Sequence, residues 1–294
     1  MIGLGIMGSA MAANLMRAGY PVIGYDVLAL RCRAHRRAGG QVAHDSRDVG
    51  TQAGVVICSL PSSEALRQTA AELVEMRPPH IVIDTSTLPI AAKEAARGRL
   101  AARGTTLLDC PLSGTGSQAR AKDVVAYASG DRRAYRRVVP ILDAFARAHY
   151  HVGAFGAGSK MKFVANLLVA VHNVAAAEAL VLAMKAGLDP ATALKVIGDG
   201  AGSSRMLQVR GPMMVRGDYS KALMKLEVWQ KDMTIIADFA REVGCPTPLF
   251  AASAPIYAAA VARSRPGEDT AAVCAVLEQM AGLRRTFKSA KVKV

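Results

Sequence analysis

The chain opens Met1-Ile-Gly-Leu-Gly-Ile-Met-Gly8, and Asp26 follows eighteen residues after the last of those glycines. No other stretch restricts the fold as much. It describes a strand-to-helix turn shaped for a phosphate, with a carboxylate at the end of the next strand. Gly3 lets the chain turn tightly, Gly5 lets the backbone approach a pyrophosphate, and Gly8 lets the first helix lie against the sheet. The pyrophosphate would meet the N–H groups and positive dipole end of the helix at Ile6 and Met7. An apolar helical run from Ala10 to Met16 follows, Gly19 stops it, and Pro21-Val-Ile-Gly-Tyr-Asp26 reads as a strand ending in a ribose-binding carboxylate. The rival reading is a glycine-rich turn that binds nothing. Only Met1 and Ile2 precede Gly3, so the first strand is nearly absent, and a few upstream residues are expected to be missing.

The first half continues as alternating strands and helices. A basic helix is expected over 28–37, a buried strand over 55–60 ending at Leu60-Pro61, and a helix that Ser63 would cap with Glu64 in its first turn. Further strands are expected over 80–84, 106–109 and 124–129, with an alanine-rich helix over 89–102. Repeated β-α-β units argue for a doubly wound parallel sheet of Rossmann type. From Ser159, placed to cap a long helix reaching 187, strand patterns vanish. Pro190 fits the first turn of the next helix, 200–204 reads as a loop, and helices are expected over 227–243, 255–263 and 269–283. The organisation expected is a dinucleotide-binding domain over 1–157 and an all-α domain over 158–294.

The formal net charge is +14. Such a field suits a dinucleotide and a carboxylate substrate, and would also suit nucleic acid. The basic residues are scattered, at Arg31, Arg33, Arg36, Arg37, Arg132, Arg133, Arg136, Arg137 and a tail over 284–293, with no interleaved aromatics and no nucleic-acid motif. Solvated helix faces and a mobile tail are expected. Five cysteines, an odd number without C-x-x-C, read as reduced thiols of a cytoplasmic protein. The apolar stretch over 163–184 contains Asn166, His172, Asn173 and Glu178, so a buried core helix is expected rather than a membrane span. No residue grouping has metal-ligand spacing. The same helix carries more apolar surface than a small bundle buries, so a homodimer or homotetramer is expected.

Two further stretches can carry chemistry. In Asp109-Cys-Pro-Leu-Ser113-Gly114-Thr115, Ser113 and the N–H groups after it could hold a carboxylate, although an ordinary turn has the same composition. In Gly156-Ala-Gly158-Ser-Lys-Met-Lys162-Phe-Val-Ala-Asn166, Lys162 and Asn166 are four residues apart and share a helix face. A desolvated Lys can serve as an acid/base group. Lys160 lies about 200° around the helix and should face solvent. Taken alone, the pair would also fit a surface helix. The same holds for Lys231-Asp232 after Trp229.

These motifs, in this order, resemble the β-hydroxyacid dehydrogenase family. The cofactor turn is Gly3 to Gly8, the substrate motif Asp109 to Gly114, the catalytic motif Gly156 to Asn166, and the late pair Lys231-Asp232. Thr87 also matches a family position near the nicotinamide. The resemblance implies a Rossmann domain, a helical domain that dimerises, and Lys162 as the acid/base with Asn166 assisting. Ser113 and Gly114, with Thr115 and Lys231, would hold the substrate carboxylate. Gly3, Gly5, Ile6, Met7, Gly8, Asp26, Leu60, Pro61, Thr87 and Lys231 would contact NAD. Four departures fall on the substrate side: Thr115-Gly-Ser-Gln118 after the expected glycine, Lys122 in place of a common Gly, Ala165 in place of a common Asn, and a late segment Met224 to Lys231 slightly longer than usual. They point to a larger or more polar substrate than 3-hydroxyisobutyrate. The function expected is hydride transfer between NAD and a small 3-hydroxy acid or its semialdehyde. Asp26 favours NAD, and Arg31 and Arg33 just beyond it leave NADP open. The rivals are a glyoxylate or imine reductase of the same fold, and a cofactor-sensing or nucleic-acid-binding module.

Overall fold

The computed structural model describes residues 1–74, 80–263 and 267–285. It divides into two compact units, Met1–Ala165 and Asn166–Val294.

In the first unit, Gly5 ends the glycine turn and α1 (Ile6–Arg17) begins. There follow β1 (Ile23–Gly24), α2 (Ala29–Arg37), β2 (Gln41–Val42), α3 (Ser46–Gln52), β3 (Val55–Cys58), α4 (Ser63–Leu73), β4 (Ile81–Asp84), α5 (Ile90–Ala101) and β5 (Thr106–Asp109). The strands β3, β4 and β5 pair in parallel, with Cys58, Asp84 and Asp109 abreast at their carboxyl ends. β1 and β2 form a second parallel pair. The first strand shrinks to one residue: Ile2 bridges Tyr25 on one side and Cys58 on the other. Next come β6 (Leu112–Ser113), α6 (Gly116–Arg120), β7 (Val125–Ala128), α7 (Arg132–Phe145) and β8 (Ala148–His151). β7 pairs with β6 antiparallel and β8 parallel, and Ser129 bridges back to Asp109. Apolar runs such as Val55–Cys58 are strands because both sheet faces are covered by helices.

The second unit is helical. α8 (Ala157–Lys185) begins in the first unit and continues here, followed by α9 (Pro190–Asp199), α10 (Arg205–Arg216), α11 (Leu226–Glu242), α12 (Pro248–Arg263), a 3-10 turn at Thr270–Ala272 and α13 (Val273–Met280). Pro190 opens α9 behind an Asp189 cap, and Ser204 caps α10. The interior is held by polar ties as well as packing. Asn173 donates to Tyr257 Oη at 3.0 Å and to the Thr270 carbonyl at 2.9 Å. Arg210 pairs with buried Asp269 at 3.3 Å.

Several expectations are corrected. Ser62, not Ser63, caps α4, since its hydroxyl accepts the Ala65 N–H at 3.1 Å. Ser159 is not a cap. It lies inside α8, and its hydroxyl donates to Asp109 at 2.8 Å. Pro255 does not start a helix but sits inside α12, which opens seven residues earlier at Pro248. β2, α3, β6, α6, α7, β8 and α10 are elements to which the sequence reading gave no bounds. Of the basic tail, residues 286–293 lie outside the described residues. Arg285 is anchored: it pairs with Glu278 and donates to the Val215 carbonyl at 2.7 Å. The arginines on α2 and α7 are exposed, as expected of solvated faces. All five cysteines are unpaired, and burial, the largest cause, pushes the Cys58 and Cys110 thiols well up, so they stay protonated. No group of three metal-ligating side chains occurs among the described residues.

α8 has the length and mean hydropathy (1.9) of a membrane span. Yet Asn173, fully buried, is bonded within the protein, and the exposed Glu178 stands on the same helix.

Candidate active site

The glycine turn is a cradle. Gly3 has φ +87°, open to glycine, and a Cβ there would meet the Ser59 carbonyl oxygen at 2.2 Å. A Cβ on Gly8 would meet the Gly3 carbonyl oxygen at 1.8 Å, so α1 lies flush on the turn. Gly5 differs: a Cβ there would find only the Arg31 guanidinium, at 3.9 Å. Space is therefore kept clear above Gly5. The first turn of α1 carries neither a side-chain cap nor an acidic residue. A mouth that is open, uncapped and free of negative charge is what a pyrophosphate needs. Asp26, buried, accepts the Leu4 N–H at 2.8 Å and the Leu28 N–H at 2.9 Å, which fixes the carboxylate across the turn. Arg31 pairs with it at 3.2 Å. Leu60 is tied by its N–H to Ser86 Oγ at 2.8 Å, and Thr85 by its hydroxyl to the Cys58 carbonyl at 2.8 Å. The loops holding Leu60, Pro61 and Thr87 thus leave adjacent strand ends. The residues present fit a dinucleotide.

The run Asp109 to Gly114, which the resemblance assigns to the substrate, lies beside this cradle. Ser113 ends β6, and Gly114 has φ +141° with Val124 at 2.8 Å from a Cβ position. A Cβ on Gly116 would strike Ile6 at 2.2 Å, so α6 starts against the first residue of α1. Thr115 is used differently from expectation. Its N–H donates to Gln118 Oε1 at 3.0 Å and its hydroxyl accepts from the Gln118 N–H, a capping box for α6. Lys122 has φ +61°, the left-handed conformation that suits the Gly the family commonly has there.

Lys162 is buried on α8, while Lys160 is exposed, the opposite orientations that helical spacing predicts. In the second unit Asn166, also buried, donates to Asp232 Oδ2 at 3.0 Å, and Lys231 lies 3.4 Å from Asp232 Oδ1. Asp232 thus ties together two residues singled out from the sequence, where it was named only as half of a pair and given no role of its own. The Lys231-Asp232 pair was the signal for it.

A Rossmann-type unit with a phosphate cradle, joined in sequence to a helical unit, defines an NAD(P)-binding oxidoreductase. Residues 1–153 match the NAD binding domain of 6-phosphogluconate dehydrogenase, and residues 156–277 the NAD-binding domain of NADP-dependent 3-hydroxyisobutyrate dehydrogenase. The chain is 35% identical over 280 residues to L-threonate dehydrogenase of Cupriavidus necator, covering 92% of this chain and 93% of that protein. It is 28% identical over 287 residues to 2-(hydroxymethyl)glutarate dehydrogenase of Eubacterium barkeri, covering 96% and 95%. The crystal structure of 3-hydroxyisobutyrate dehydrogenase from Salmonella typhimurium is similar with a TM-score of 0.84 at 30% identity, covering 94% of this chain and 98% of that one. The chain belongs to the β-hydroxyacid dehydrogenase family, and its cofactor is NAD(P).

Proposed function

We propose that the chain is a dehydrogenase of a small, polar 3-hydroxy acid that prefers NAD, with Lys162 as the acid/base. The observation that carries this reading is the pair on α8: Lys162 and Asn166 share a helix stripe, both are buried, and Asn166 is oriented by Asp232. When bound, the nicotinamide supplies a hydride acceptor or donor. The chain's own residues do the rest. Lys162 takes the hydroxyl proton on oxidation and returns it on reduction. The Asn166 amide, held by Asp232, orients the hydroxyl through the hydrogen-bonding capacity that remains. Ser113 and Gly114 hold the carboxylate, because Thr115 is committed to its cap, and Lys231 adds positive charge. Asp26 accepts the ribose hydroxyls and disfavours a 2′-phosphate.

The similarity to L-threonate dehydrogenase favours a hydroxylated substrate, so L-threonate is the first to test. The protein is read as a cytoplasmic homo-oligomer. The exposed apolar side chains of α8 (Met161, Val164, Leu168, Leu182) suit a subunit interface.

The test is NAD+ reduction with L-threonate, 3-hydroxyisobutyrate and 2-(hydroxymethyl)glutarate, using wild type, Lys162→Ala, Lys160→Ala and Lys231→Ala. Lys162→Ala should lower kcat by about 10²–10⁴-fold and leave NADH affinity within about twofold. Lys160→Ala should change little. Full turnover by Lys162→Ala, with loss in Lys160→Ala or Lys231→Ala, would move the catalytic assignment.

A further inference from the structure

Behind the strand ends lies a buried ionic cluster that the chemistry above does not use. Asp84 and Asp109 stand abreast at the ends of β4 and β5. Between them, Lys93 reaches in from α5, fully buried. Its ammonium donates to the Ser86 carbonyl at 2.6 Å and to Asp109 Oδ1 at 2.7 Å, and pairs ionically with Asp84 Oδ2 at 3.0 Å. Burial alone would push this ammonium towards the neutral form, but the two carboxylates outweigh it and hold the pKa above the ordinary lysine value. Lys93 is therefore charged.

A buried ion pair is expensive to desolvate and is not by itself a gain in stability. What Asp109 does with its remaining acceptor capacity explains its presence. Asp109 Oδ2 accepts the Ser159 N–H at 2.8 Å and the Ser129 hydroxyl at 3.1 Å, while Oδ1 accepts the Ser159 hydroxyl at 2.8 Å. The Ser129 oxygen in turn accepts the Gly158 N–H at 2.9 Å. Two N–H groups of the first turn of α8, at Gly158 and Ser159, are thus satisfied from the sheet, fifty residues away for Asp109. The carboxylate also faces the positive end of the longest helix in the protein. The fit is close: a Cβ on Gly158 would meet the Tyr127 carbonyl oxygen at 2.3 Å and the Asp109 carbonyl oxygen at 2.8 Å. Lys162 follows Ser159 by three residues, about 4.5 Å along the axis and on the same side of the helix. At its other end the cluster reaches the cofactor side, through Asp84 to Ser86 Oγ (2.6 Å) and from there to the Leu60 N–H (2.8 Å).

We propose that Asp109, held by Lys93, is the positioning residue for Lys162: it clamps the first turn of α8 to the sheet through Ser159 and so sets the acid/base amine. The proposal rests on the reading of Lys162 given above. Charge at Asp109 matters because Asn would turn one of its two acceptor oxygens into a donor, facing either the Ser159 N–H or the Lys93 ammonium and the Ser159 hydroxyl.

Ser159→Ala is the mildest test, since it removes one hydroxyl and leaves the ionic cluster in place. We expect kcat with L-threonate, 3-hydroxyisobutyrate or 2-(hydroxymethyl)glutarate to fall about 10-fold. KM and NADH affinity should stay within about twofold. Asp109→Asn should fall further, and the double variant no further than Asp109→Asn alone, because the Ser159 hydroxyl acts only through Asp109. A purely structural role would lower Tm and leave kcat per folded molecule unchanged. The second readout needs no substrate: in protein reductively ¹³C-methylated on lysine, the Lys162 resonance, assigned by its loss in Lys162→Arg, should shift in Ser159→Ala while that of Lys185 does not. An unchanged kcat and Lys162 resonance in Ser159→Ala, with Lys162→Ala inactive, overturns the proposal alone. Full activity in Lys162→Ala overturns the reading of Lys162 instead, and the resonance still reports whether Asp109 positions it.

Discussion

Gly5 and Gly8 are three residues apart, and the same substitution should break them in opposite ways. A Cβ at Gly8 would stand 1.8 Å from the Gly3 carbonyl oxygen, where real Cβ atoms keep at least 3.0 Å, so the start of α1 must retreat by the difference, 1.2 Å or more. Gly3 cannot yield instead. Its N–H is bonded to the Tyr25 carbonyl at 2.9 Å and its own Cβ direction is closed by Ser59. Overpacking of this kind costs about 1–3 kcal/mol, and in a domain of this size each kcal/mol lowers Tm by roughly 2–4 °C. The retreat also carries the first-turn N–H groups away from a pyrophosphate. A displacement of that size takes a hydrogen bond from ~2.9 Å to beyond its range. Each bond to a charged group is worth about 1.5–3 kcal/mol, or roughly 10- to 150-fold in Kd. Gly5→Ala meets nothing but the mobile end of Arg31, at 3.9 Å, and Gly5 has φ −66°, which any residue adopts. Its Tm should therefore hold or rise slightly, while NADH binding weakens at least tenfold because the methyl stands in the ligand's approach. Scanning fluorimetry gives Tm and isothermal titration gives Kd. A folded Gly5→Ala that binds NADH like wild type would refute the placement of the phosphates, and a Gly8→Ala unchanged in Tm would refute the packing argument.

Three other substitutions probe separate features. Lys122 holds φ +61° without being glycine; left-handed backbone costs about 1–2 kcal/mol in other residues, so Lys122→Gly should raise the chemical-denaturation free energy by about 1 kcal/mol, net of glycine's own entropy cost. His35 is wedged between Gly24 and Gly40 with its Nε2 3.3 Å from the Val22 carbonyl, and burial, the largest cause, holds its pKa below the usual histidine value. The unfolded chain then binds the proton more readily, so stability is complete above about pH 6.5 and falls as pH drops below it; the Tm difference between wild type and His35→Gln should shrink between pH 7.5 and 5.0, and a pH-independent difference would contradict this. Arg31→Ala should raise the ratio of kcat/KM for NAD over NADP by about tenfold, the scale of one exposed charge-assisted contact to a 2′-phosphate, and no change would show that Arg31 does not face that position.

The parts of the fold that were legible in the sequence are those set by local chemistry. β3, β4 and β5 carry unbroken apolar runs because both of their faces are buried, and the runs stop where Cys58, Asp84 and Asp109 reach the sheet edge. β2 and β6 are two residues long and β8 reads Ala-His-Tyr-His, so neither length nor pattern marks them. They exist because a neighbouring strand supplies the hydrogen bonds. Pro255 shows the limit from the other side. A proline usually marks the first turn of a helix, but α12 packs well enough through Phe250, Ser253 and Tyr257 to carry one in its interior.

The same division runs through the site. The side chains proposed to touch ligand were legible: the glycines and Asp26 from their spacing, and Lys162 and Asn166 from the helical period. The groups that hold those side chains were not. Ser159 looked like a cap because Ser often is one, but its hydroxyl answers a carboxylate fifty residues earlier. Lys93 drew no notice within its alanine-rich helix, yet it is fully buried between two carboxylates. Asp232 looked like half of a surface pair and instead orients Asn166. In each case the partner is distant in sequence, so neither composition nor periodicity can reveal it. A consequence follows for the chemistry. Lys162 and Asn166 lie on one helix, and a buried carboxylate bonds that helix at each place: Asp109 at Ser159, three residues before Lys162, and Asp232 at Asn166 itself. A hydride-transfer site needs its acid/base and its orienting amide fixed to within a fraction of an ångström. On the reading proposed above, the charged hydrogen bonds at Ser159 and Asn166 serve that need, whereas surface side chains on a lone helix would not.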